Sequence, residues 1–179
     1  MSDKIIKAIK ALDKKHEAHI CYLYNNHLEY IETAATFIIA SIKDGDHVLL
    51  LENDRNILTI KEMLQNELNM EQLDKLHFVN NFQFYFSNET FHPQTVVSHF
   101  LKYIQPFVDN GDSYRTWGHI EWGCEKELEN DIEEYEKEID KLIKDRGVIS
   151  VCAYWAEITP ESLKEKLKNC HDIVINGHE

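Results

Sequence analysis

The segment Arg115-Thr-Trp-Gly-His-Ile-Glu-Trp122 holds the residues whose types and spacing best fit binding chemistry. The alternation of a β-strand places Arg115, Trp117 and His119 on one side. Indole rings supply apolar contact area, and a guanidinium supplies orientation or charge pairing. One side of this strand is therefore predicted to form the wall of a pocket for a small, partly apolar molecule. A core strand closed by a surface ion pair is the alternative interpretation.

A second pair of chemically active residues lies near the amino terminus. His19 and Cys21 are two residues apart on a predicted strand, so they share a face and could bind a soft metal or line a pocket. Zinc would need further ligands, such as Cys152 or His171 brought in by the fold. A buried cysteine is more often a small apolar residue, so we expect no bound metal and no cofactor.

Glu52 and Arg55 form a third candidate pair. Glu52 ends an apolar segment and Arg55 follows three residues later. This spacing fits a ligand-contacting pair, but it equally fits a strand-end carboxylate followed by an arginine at a helix start.

Strand and helix patterns alternate along the chain. The apolar segments 18–24, 47–52 and 148–154 are typical of strands covered on both faces, and helical periodicity separates them. We predict one domain over residues 1–179, an α/β three-layer sandwich with a mostly parallel central sheet and right-handed crossovers. Such folds bind ligands at the carboxyl ends of their strands. Four candidates lie near predicted strand ends: Tyr24, Glu52, His119 and Tyr154.

Other elements follow from local signals. One strand is expected near residues 76–79 and a further one over 82–86, and Pro106 is expected to end or kink a helix that starts at Pro93. A long helix is predicted from Trp122 to Arg146, with a narrow apolar stripe and an acidic outer face on which Glu136 is exposed. Gly147 is its natural end. A histidine in the position of His171 is usually at the surface or in a cap.

Composition excludes several classes of function. The chain has 179 residues, of which 43% are hydrophobic and 11% aromatic, with 3 prolines and 6 glycines, so it is expected to fold. Its 32 acidic and 19 basic residues give a formal charge of −13, which disfavours direct binding to nucleic acid or anionic membranes. No apolar run resembles a signal peptide or membrane span, so a cytoplasmic protein with reduced thiols is expected.

The first strand-to-helix turn lacks the features of a phosphate-binding loop. Residues 24–28 are Tyr-Asn-Asn-His-Leu, without glycine or lysine. A nest of backbone N–H groups with a lysine is what carries phosphate charge in ATP-hydrolysing proteins, so ATP hydrolysis is not expected. The turn can still bind an uncharged or weakly polar group through a helix amino terminus.

Taken in order, these landmarks resemble the MEDS family, the sensory domain of methanogen and methylotroph regulators. The resemblance covers nearly the whole chain and rests on several separated motifs. These are His19-Ile-Cys21 with Tyr24, the segment from Ile42 to Glu52, the block with Arg115, Gly118 and Trp122, Tyr135-Glu136, Cys152-Ala-Tyr154, and His171 before 173–177. The resemblance implies a RecA- or KaiC-like core with a degenerate phosphate loop.

The resemblance also implies a function. It predicts a non-enzymatic, stand-alone cytoplasmic sensor that binds a small hydrocarbon derivative or similar organic metabolite and signals to a regulatory protein. In the family a glutamate commonly follows the glycine of the Arg-Gly-Trp block, whereas this chain has His119 there and its carboxylate at Glu121. Because histidine changes charge near neutral pH, the ligand preference of relatives is not carried over at this position.

The sequence-based prediction is a sensory domain with one ligand pocket and a signalling or transcription-regulatory protein as partner. Two other hypotheses stay open: a ligand-free module that docks through its acidic helix, and a metal- or thiol-dependent enzyme that uses His19 and Cys21. A homodimer through the aromatic carboxyl half is also open. The predicted ligand-binding residues are His19, Cys21, Tyr24, Glu52, Arg55, Arg115, Trp117, His119, Trp122 and Tyr154.

Overall fold

The computed structural model describes residues 2–11, 17–87, 89–121 and 126–177. Its strands are β1 (Ala18–Tyr24), β2 (His47–Glu52), β3 (Leu76–Asn80), β4 (Tyr114–Ile120), β5 (Ile149–Trp155) and β6 (Ile173–Asn176). They form a 6-stranded sheet in the order β3-β2-β4-β5-β1-β6, and every pairing is parallel.

Helices cover both faces of the sheet. They are α1 (Ser2–Ala11), α2 (His27–Lys43), α3 (Asp54–Gln65), α4 (Met70–Leu73), α5 (Asn81–Tyr85), α6 (Pro93–Asn110), α7 (Glu129–Arg146) and α8 (Glu161–Cys170), with a 3₁₀ turn at Lys126–Leu128 before α7. The helices α1, α2 and α3 pack on one face, and α5 to α8 pack on the other. The predicted three-layer α/β sandwich with a parallel sheet is confirmed.

Two separate cores follow from the alternation of side chains along the strands. Along β1, Ile20 and Tyr22 belong to the core beneath α1 to α3, whereas Cys21 and Leu23 belong to the core beneath α5 to α8. All seven residues of β1 are buried. A strand buried on both faces needs apolar or fully hydrogen-bonded residues at every position, which explains its continuous apolar sequence.

The chain moves along the sheet in two directions. From β1 through β2 to β3 it runs towards one edge, with its helices on the face of α2 and α3. From β3 through β4 and β5 to β6 it runs towards the other edge, with helices on the opposite face. A single handedness of crossover produces this arrangement. The chain therefore leaves the neighbouring strands β2 and β4 towards opposite faces, and this opens a crevice at their carboxyl ends.

Three local predictions can be compared with the structure. Gly147 ends α7 with a φ of 66°, as predicted. Pro106 does not end α6, which continues to Asn110 because Phe107 keeps the last turn packed in the core. The strand predicted over 82–86 is the helix α5, because the Asn80 side chain accepts a hydrogen bond from Gln83 N and caps a helix.

Close packing of α5 on the sheet depends on a glycine in β4. A Cβ atom on Gly118 would lie 2.6 Å from Tyr85 Oη. A side chain at this position would therefore require the Tyr85 side chain, which lies on α5, to shift. No helix in the described part of the chain is both long and apolar enough to cross a membrane.

Candidate functional site

Glu52 and His119 meet in the crevice between β2 and β4. Glu52 is the last residue of β2, His119 lies near the end of β4, and both are buried. His119 Nδ1 lies 2.6 Å from Glu52 Oε1, and its Nε2 lies 2.8 Å from Tyr24 Oη. Because the carboxylate can only accept, Nδ1 is assigned the hydrogen, and Nε2 accepts the hydrogen of the Tyr24 hydroxyl. The imidazole is therefore held on both sides.

Glu52 accepts three further hydrogen bonds. Tyr30 Oη donates to Oε2, while Asn56 Nδ2 at 3.0 Å and the backbone N of Asn53 at 2.9 Å donate to Oε1. Trp117 Nε1 in turn donates to Tyr30 Oη over 3.0 Å. A buried carboxylate is stable only when donors compensate for its lost hydration, and here four donors do so.

A cleft of about 390 Å³ lies over this network, at the carboxyl ends of β1, β2, β4 and β5. Aromatic, amide and charged side chains all contribute to its wall. Burial, followed by the carboxylates of Glu121 and Glu52, raises the pKa of the Tyr24 hydroxyl well above its usual value, so this group stays protonated. The lining residues are Tyr24, His27, Asn53, Arg55, Asn56, Phe82, His119, Glu121 and Trp155.

The polar groups of the cleft can orient a ligand. Asn53 Nδ2 donates to Glu121 Oε1 over 3.0 Å, and Asn81 Nδ2 donates to Glu121 Oε2 over 2.8 Å, so this carboxylate is fixed at the edge of the cleft. Arg55 is exposed on the first turn of α3 and is a lining residue. A mixed wall of this kind fits a small molecule with an apolar part and one or two polar groups.

Arg115 and Trp117 do not line the cleft, which corrects their predicted place. Both do share a face of β4 with His119, as alternation predicts, but a strand rises about 3.3 Å per residue, so four residues separate Arg115 from His119 by about 13 Å. Arg115 lies at the amino end, where its Nε is 2.7 Å from Asp46 and its Nη2 is 3.1 Å from Asp44. The alternative interpretation, a core strand closed by an ion pair, describes this end of β4, where Arg115 pairs with Asp46 and Asp44.

Trp117 is fully buried at 0% exposure. Its ring centroid lies 5.2 Å from that of Phe37 on α2. The helix α2 covers this part of β4, so the indole forms part of the core and is linked to the cleft residues through Tyr30 and not by direct contact with the cleft. The second tryptophan, Trp122, lies outside the described residues.

Three other candidates lie on the opposite side of the sheet from the cleft. Cys21 and Tyr154 belong to the core beneath α5 to α8, and His19 contacts Glu136 of α7. His19 and Cys21 share a face, as their spacing predicts. One pocket formed by all the predicted residues is therefore excluded, since the sheet separates His19, Cys21 and Tyr154 from Tyr24 and His119.

The second group, which we call the buried cluster, comprises His19, Glu136, Cys152 and His171. One donor atom from each lies within 4.8 Å of the others, and all four residues are buried. His19 Nε2 is 3.2 Å from Glu136 Oε2 and 3.5 Å from Cys152 Sγ, while His171 Nε2 is 3.5 Å from Glu136 Oε2. Two nitrogens, a sulfur and an oxygen therefore converge on one point.

Burial and neighbouring charges shift the pKa values of two residues in the buried cluster, Cys152 and Glu136. Burial raises the pKa of the Cys152 thiol, and the nearby Glu136 carboxylate raises it further. Burial alone would also raise the pKa of Glu136, but His171 and then His19 outweigh this and hold it below its usual range. Tyr154 Oη donates to Glu136 Oε1, which stabilises the same carboxylate.

The predicted ligand-binding residues include neither Glu136 nor His171, although the sequence offers His171 as a further zinc ligand for His19 and Cys21. Glu136 is 0% exposed rather than on the solvent face, and the His171 side chain is buried rather than at the surface. A periodic signal exists for both. Glu136 follows Ile132 by four residues and precedes Ile139 by three, and His171 follows Leu167 by four, so each continues the buried stripe of a helix.

The fold and its crevice define an open, doubly wound α/β domain with a cleft at the carboxyl edge of the sheet. The chain belongs to the MEDS family, the MEthanogen/methylotroph, DcmR Sensory domain, whose model matches residues 18–172. The resemblance drawn from the sequence is thereby confirmed, and a sensory or regulatory role is supported. The match starts at the first residue of β1 and includes both groups of site residues. No curated protein matches the chain.

Proposed function

We propose that this domain binds a small organic molecule in the cleft and passes its occupancy to a signalling or transcription-regulatory protein. The observation that carries the proposal is the cleft itself, which lies over the Glu52–His119–Tyr24 network at the point where the chain leaves β2 and β4 towards opposite faces. The family description, a sensory domain, supports the same function.

Binding without catalysis fits the hydrogen bonds of this network. Glu52 already accepts from four donors, and His119 Nε2 is occupied by the Tyr24 hydroxyl. A general base needs a free acceptor that faces the substrate. These two side chains instead hold each other in place, so we propose that they shape a rigid wall and do not transfer protons.

The ligand is proposed to be uncharged or weakly polar, with an apolar part. Phe82 and Trp155 supply apolar surface, and the Arg55 guanidinium and the Tyr24 hydroxyl can orient a polar group. The Glu121 carboxylate at the edge of the cleft would repel a negatively charged ligand. Short-chain alcohols and halogenated hydrocarbons have this chemistry.

Native mass spectrometry of the purified chain, compared with its denatured mass, tests for a retained organic molecule. Compounds of both classes are then titrated while tryptophan fluorescence is followed, because Trp155 is 41% exposed in the cleft wall. Tyr24→Phe and Arg55→Gln are expected to weaken binding at least about tenfold, whereas Arg146→Gln, an exposed arginine at the end of α7, is the matched control. Equal affinity in all variants would remove the cleft from the proposal.

A partner protein could bind either by charge alone or through a contact that depends on the ligand. The outer face of α7 is acidic, but three of its lysines already pair within the helix: Lys137 with Glu133, Lys141 with Glu138 and Lys144 with Asp140. This pairing leaves less free charge for docking by charge alone, which favours a partner contact that depends on the ligand. Partner capture at two salt concentrations, with and without ligand, distinguishes these two kinds of contact. A purely electrostatic contact weakens sharply as salt rises, whereas a ligand-dependent contact requires the ligand.

A further inference from the structure

The buried cluster has the donor set of a metal site. We propose that His19 Nε2, His171 Nε2, Cys152 Sγ and a carboxylate oxygen of Glu136 bind one divalent transition-metal ion. Two imidazoles, a thiolate and a carboxylate suit zinc best, because zinc accepts nitrogen, sulfur and oxygen ligands in one tetrahedral site. This inference departs from the sequence-based expectation that no metal is bound.

The spacing of the donor atoms matches this geometry. Zinc binds nitrogen at about 2.0–2.1 Å and sulfur at about 2.3 Å, so neighbouring ligands of a tetrahedral site lie roughly 3.3–3.6 Å apart. The observed separations from Glu136 Oε2 are 3.2 Å to His19 Nε2, 3.4 Å to Cys152 Sγ and 3.5 Å to His171 Nε2. His19 Nε2 and Cys152 Sγ are 3.5 Å apart. Little movement is therefore needed to place an ion between them.

Both imidazoles are oriented for coordination. His19 Nδ1 is 3.0 Å from the carbonyl oxygen of Cys170, and His171 Nδ1 is 2.7 Å from the carbonyl oxygen of Leu167. A carbonyl can only accept, so each Nδ1 carries the hydrogen in the neutral ring and each Nε2 offers its lone pair to the cluster. Metal-binding histidines typically donate their other nitrogen in this way.

One of these nitrogens lacks a hydrogen bond: His171 Nε2 lies 3.5 Å from Glu136 Oε2, a contact that is an ion pair only when the ring is protonated. His171 Nε2 is buried and makes no hydrogen bond to any described residue, and its side chain is 0% exposed. A buried polar atom without a hydrogen bond is destabilising, so such atoms are rare unless a ligand satisfies them. A metal ion at the centre of the cluster satisfies His171 and the other three donors together.

The charge of the site also balances. A divalent ion with one thiolate and one carboxylate is neutral overall, which limits the cost of burying it. Tyr154 Oη donates to Glu136 Oε1, so the second carboxylate oxygen is satisfied outside the metal. The protein supplies all four ligands, so we assign the ion a structural or regulatory role, because a catalytic zinc keeps an open position.

The ligands come from separate parts of the chain. His19 lies on β1, Cys152 on β5 and Glu136 on α7, and His171 follows α8 directly. An ion would therefore join the sheet to both helices. Cys21 is not a member of this group, although it lies opposite Cys152 in the pairing of β1 with β5. The structure thus separates this site from the sequence-based hypothesis of a site built on His19 and Cys21.

Metal analysis of the purified full chain tests the inference. The chain is expected to contain about one zinc ion per molecule, or to take up one Zn²⁺ or Co²⁺ after treatment with chelator. Bound Co²⁺ should show a thiolate-to-metal charge-transfer absorption. Cys152→Ala should abolish this absorption, and His171→Gln should weaken metal binding by more than about 100-fold, since removing a ligand costs more than removing its outer partner.

Two control variants locate the metal. Cys21→Ala removes a buried thiol from the same face and should leave the stoichiometry and the absorption unchanged. Glu121→Gln tests the cleft, where donor atoms of Glu52, His119 and Glu121 also lie within 4.8 Å of one another. Circular dichroism reports whether each variant is folded. If Cys152→Ala does not fold, His171→Gln decides, because the substitution removes no hydrogen bond of Nε2 to a described residue.

Three results would overturn the inference. The first is a folded parent chain that binds neither Zn²⁺ nor Co²⁺. The second is metal that is retained with unchanged affinity in the His171→Gln variant. The third is metal that is lost in Glu121→Gln and kept in Cys152→Ala, which would assign it to the cleft.

Discussion

Replacement of Glu52 by glutamine should destabilise the domain more than any surface substitution of the same kind. Glu52 Oε1 accepts from three donors and Oε2 accepts from Tyr30 Oη. If the glutamine oxygen stays at the Oε1 position, its NH₂ group meets the Tyr30 hydroxyl, which already accepts from Trp117 Nε1. The Tyr30 hydrogen then has no acceptor, and the remaining bonds lose the charge that strengthens them.

The size of the effect follows from these contacts. A hydrogen bond to a charged group contributes about 1.5–3 kcal/mol, against about 0.5–1.5 kcal/mol for a neutral one, and a buried donor left without an acceptor costs about 1–3 kcal/mol. We therefore expect Glu52→Gln to lose about 3–5 kcal/mol of unfolding free energy. With a urea dependence of about 2 kcal/mol per molar, the unfolding midpoint falls by about 2 M.

Urea unfolding followed by far-ultraviolet circular dichroism measures this change. The matched control is Glu67→Gln, since Glu67 is 57% exposed and pairs with Lys43 over 3.2 Å. An exposed pair of this kind contributes about 0–1 kcal/mol, so the control midpoint should barely move. A shift below about 0.5 M for Glu52→Gln would refute the reasoning that a saturated buried carboxylate supports the cleft.

Three further predictions concern packing, a buried hydroxyl pair and pH. Gly118→Ala should cost about 1–3 kcal/mol by urea unfolding, because its Cβ would meet Tyr85 Oη at 2.6 Å. Tyr85→Phe should recover part of this loss, and no recovery would contradict the clash. Thr116→Val and Ser150→Ala each break the 2.7 Å hydrogen bond between the two hydroxyl groups on β4 and β5. The loss of unfolding free energy in the double variant should therefore be at least about 0.5 kcal/mol smaller than the sum of the two single losses. Additive losses would contradict this coupling. Burial, and then His47, lower the pKa of His77 below its usual value of about 6.5, while Asp112 opposes them. The unfolded chain then binds the proton more readily, so unfolding free energy should fall as pH drops below about 6.5 towards the lowered pKa. His77→Gln should reduce this dependence in urea titrations at several pH values, and an unchanged slope would count against it.

Much of the fold could be predicted because its signals are local. The first strand was predicted over 18–24 and is observed as β1 (Ala18–Tyr24), since an apolar segment between polar turns has few alternative structures. The segment 82–86 shows the limit of such signals. Its aromatic residues favour a strand, but the Asn80 cap and the contact of α5 with β4 and α6 favour a helix.

The candidate site was predictable only in part, for a physical reason. Tyr24, Glu52 and His119 were found because parallel strands place their carboxyl ends at one edge of the sheet. Tyr30 and Asn56 were missed, since contacts between a helix and a strand end depend on tertiary packing. The sheet also divides residues by alternation, so His19 and Tyr24 on one strand belong to different sites.

Helix α7 connects the proposed metal site with the outer surface of the domain. Glu136 reaches the buried cluster from one side of the helix, and Lys137, Glu138 and Lys141 lie on its exposed side. An ion that joins α7 to β1 and β5 should limit the local opening of this helix, in addition to stabilising the whole domain. The helix α3, on the other face of the sheet, has no ligand in the cluster.

Removal of the metal should therefore affect the two helices differently. Hydrogen exchange followed by mass spectrometry, with and without chelator, should show α7 amides losing at least about tenfold of their protection, which corresponds to about 1.4 kcal/mol. Amides of α3 should change much less, and the Cys152→Ala variant should not respond to chelator. An equal loss in α3 and α7 would show that the metal stabilises the domain only as a whole. That result would leave α7 without the local link between buried cluster and acidic surface that a metal-dependent signal requires.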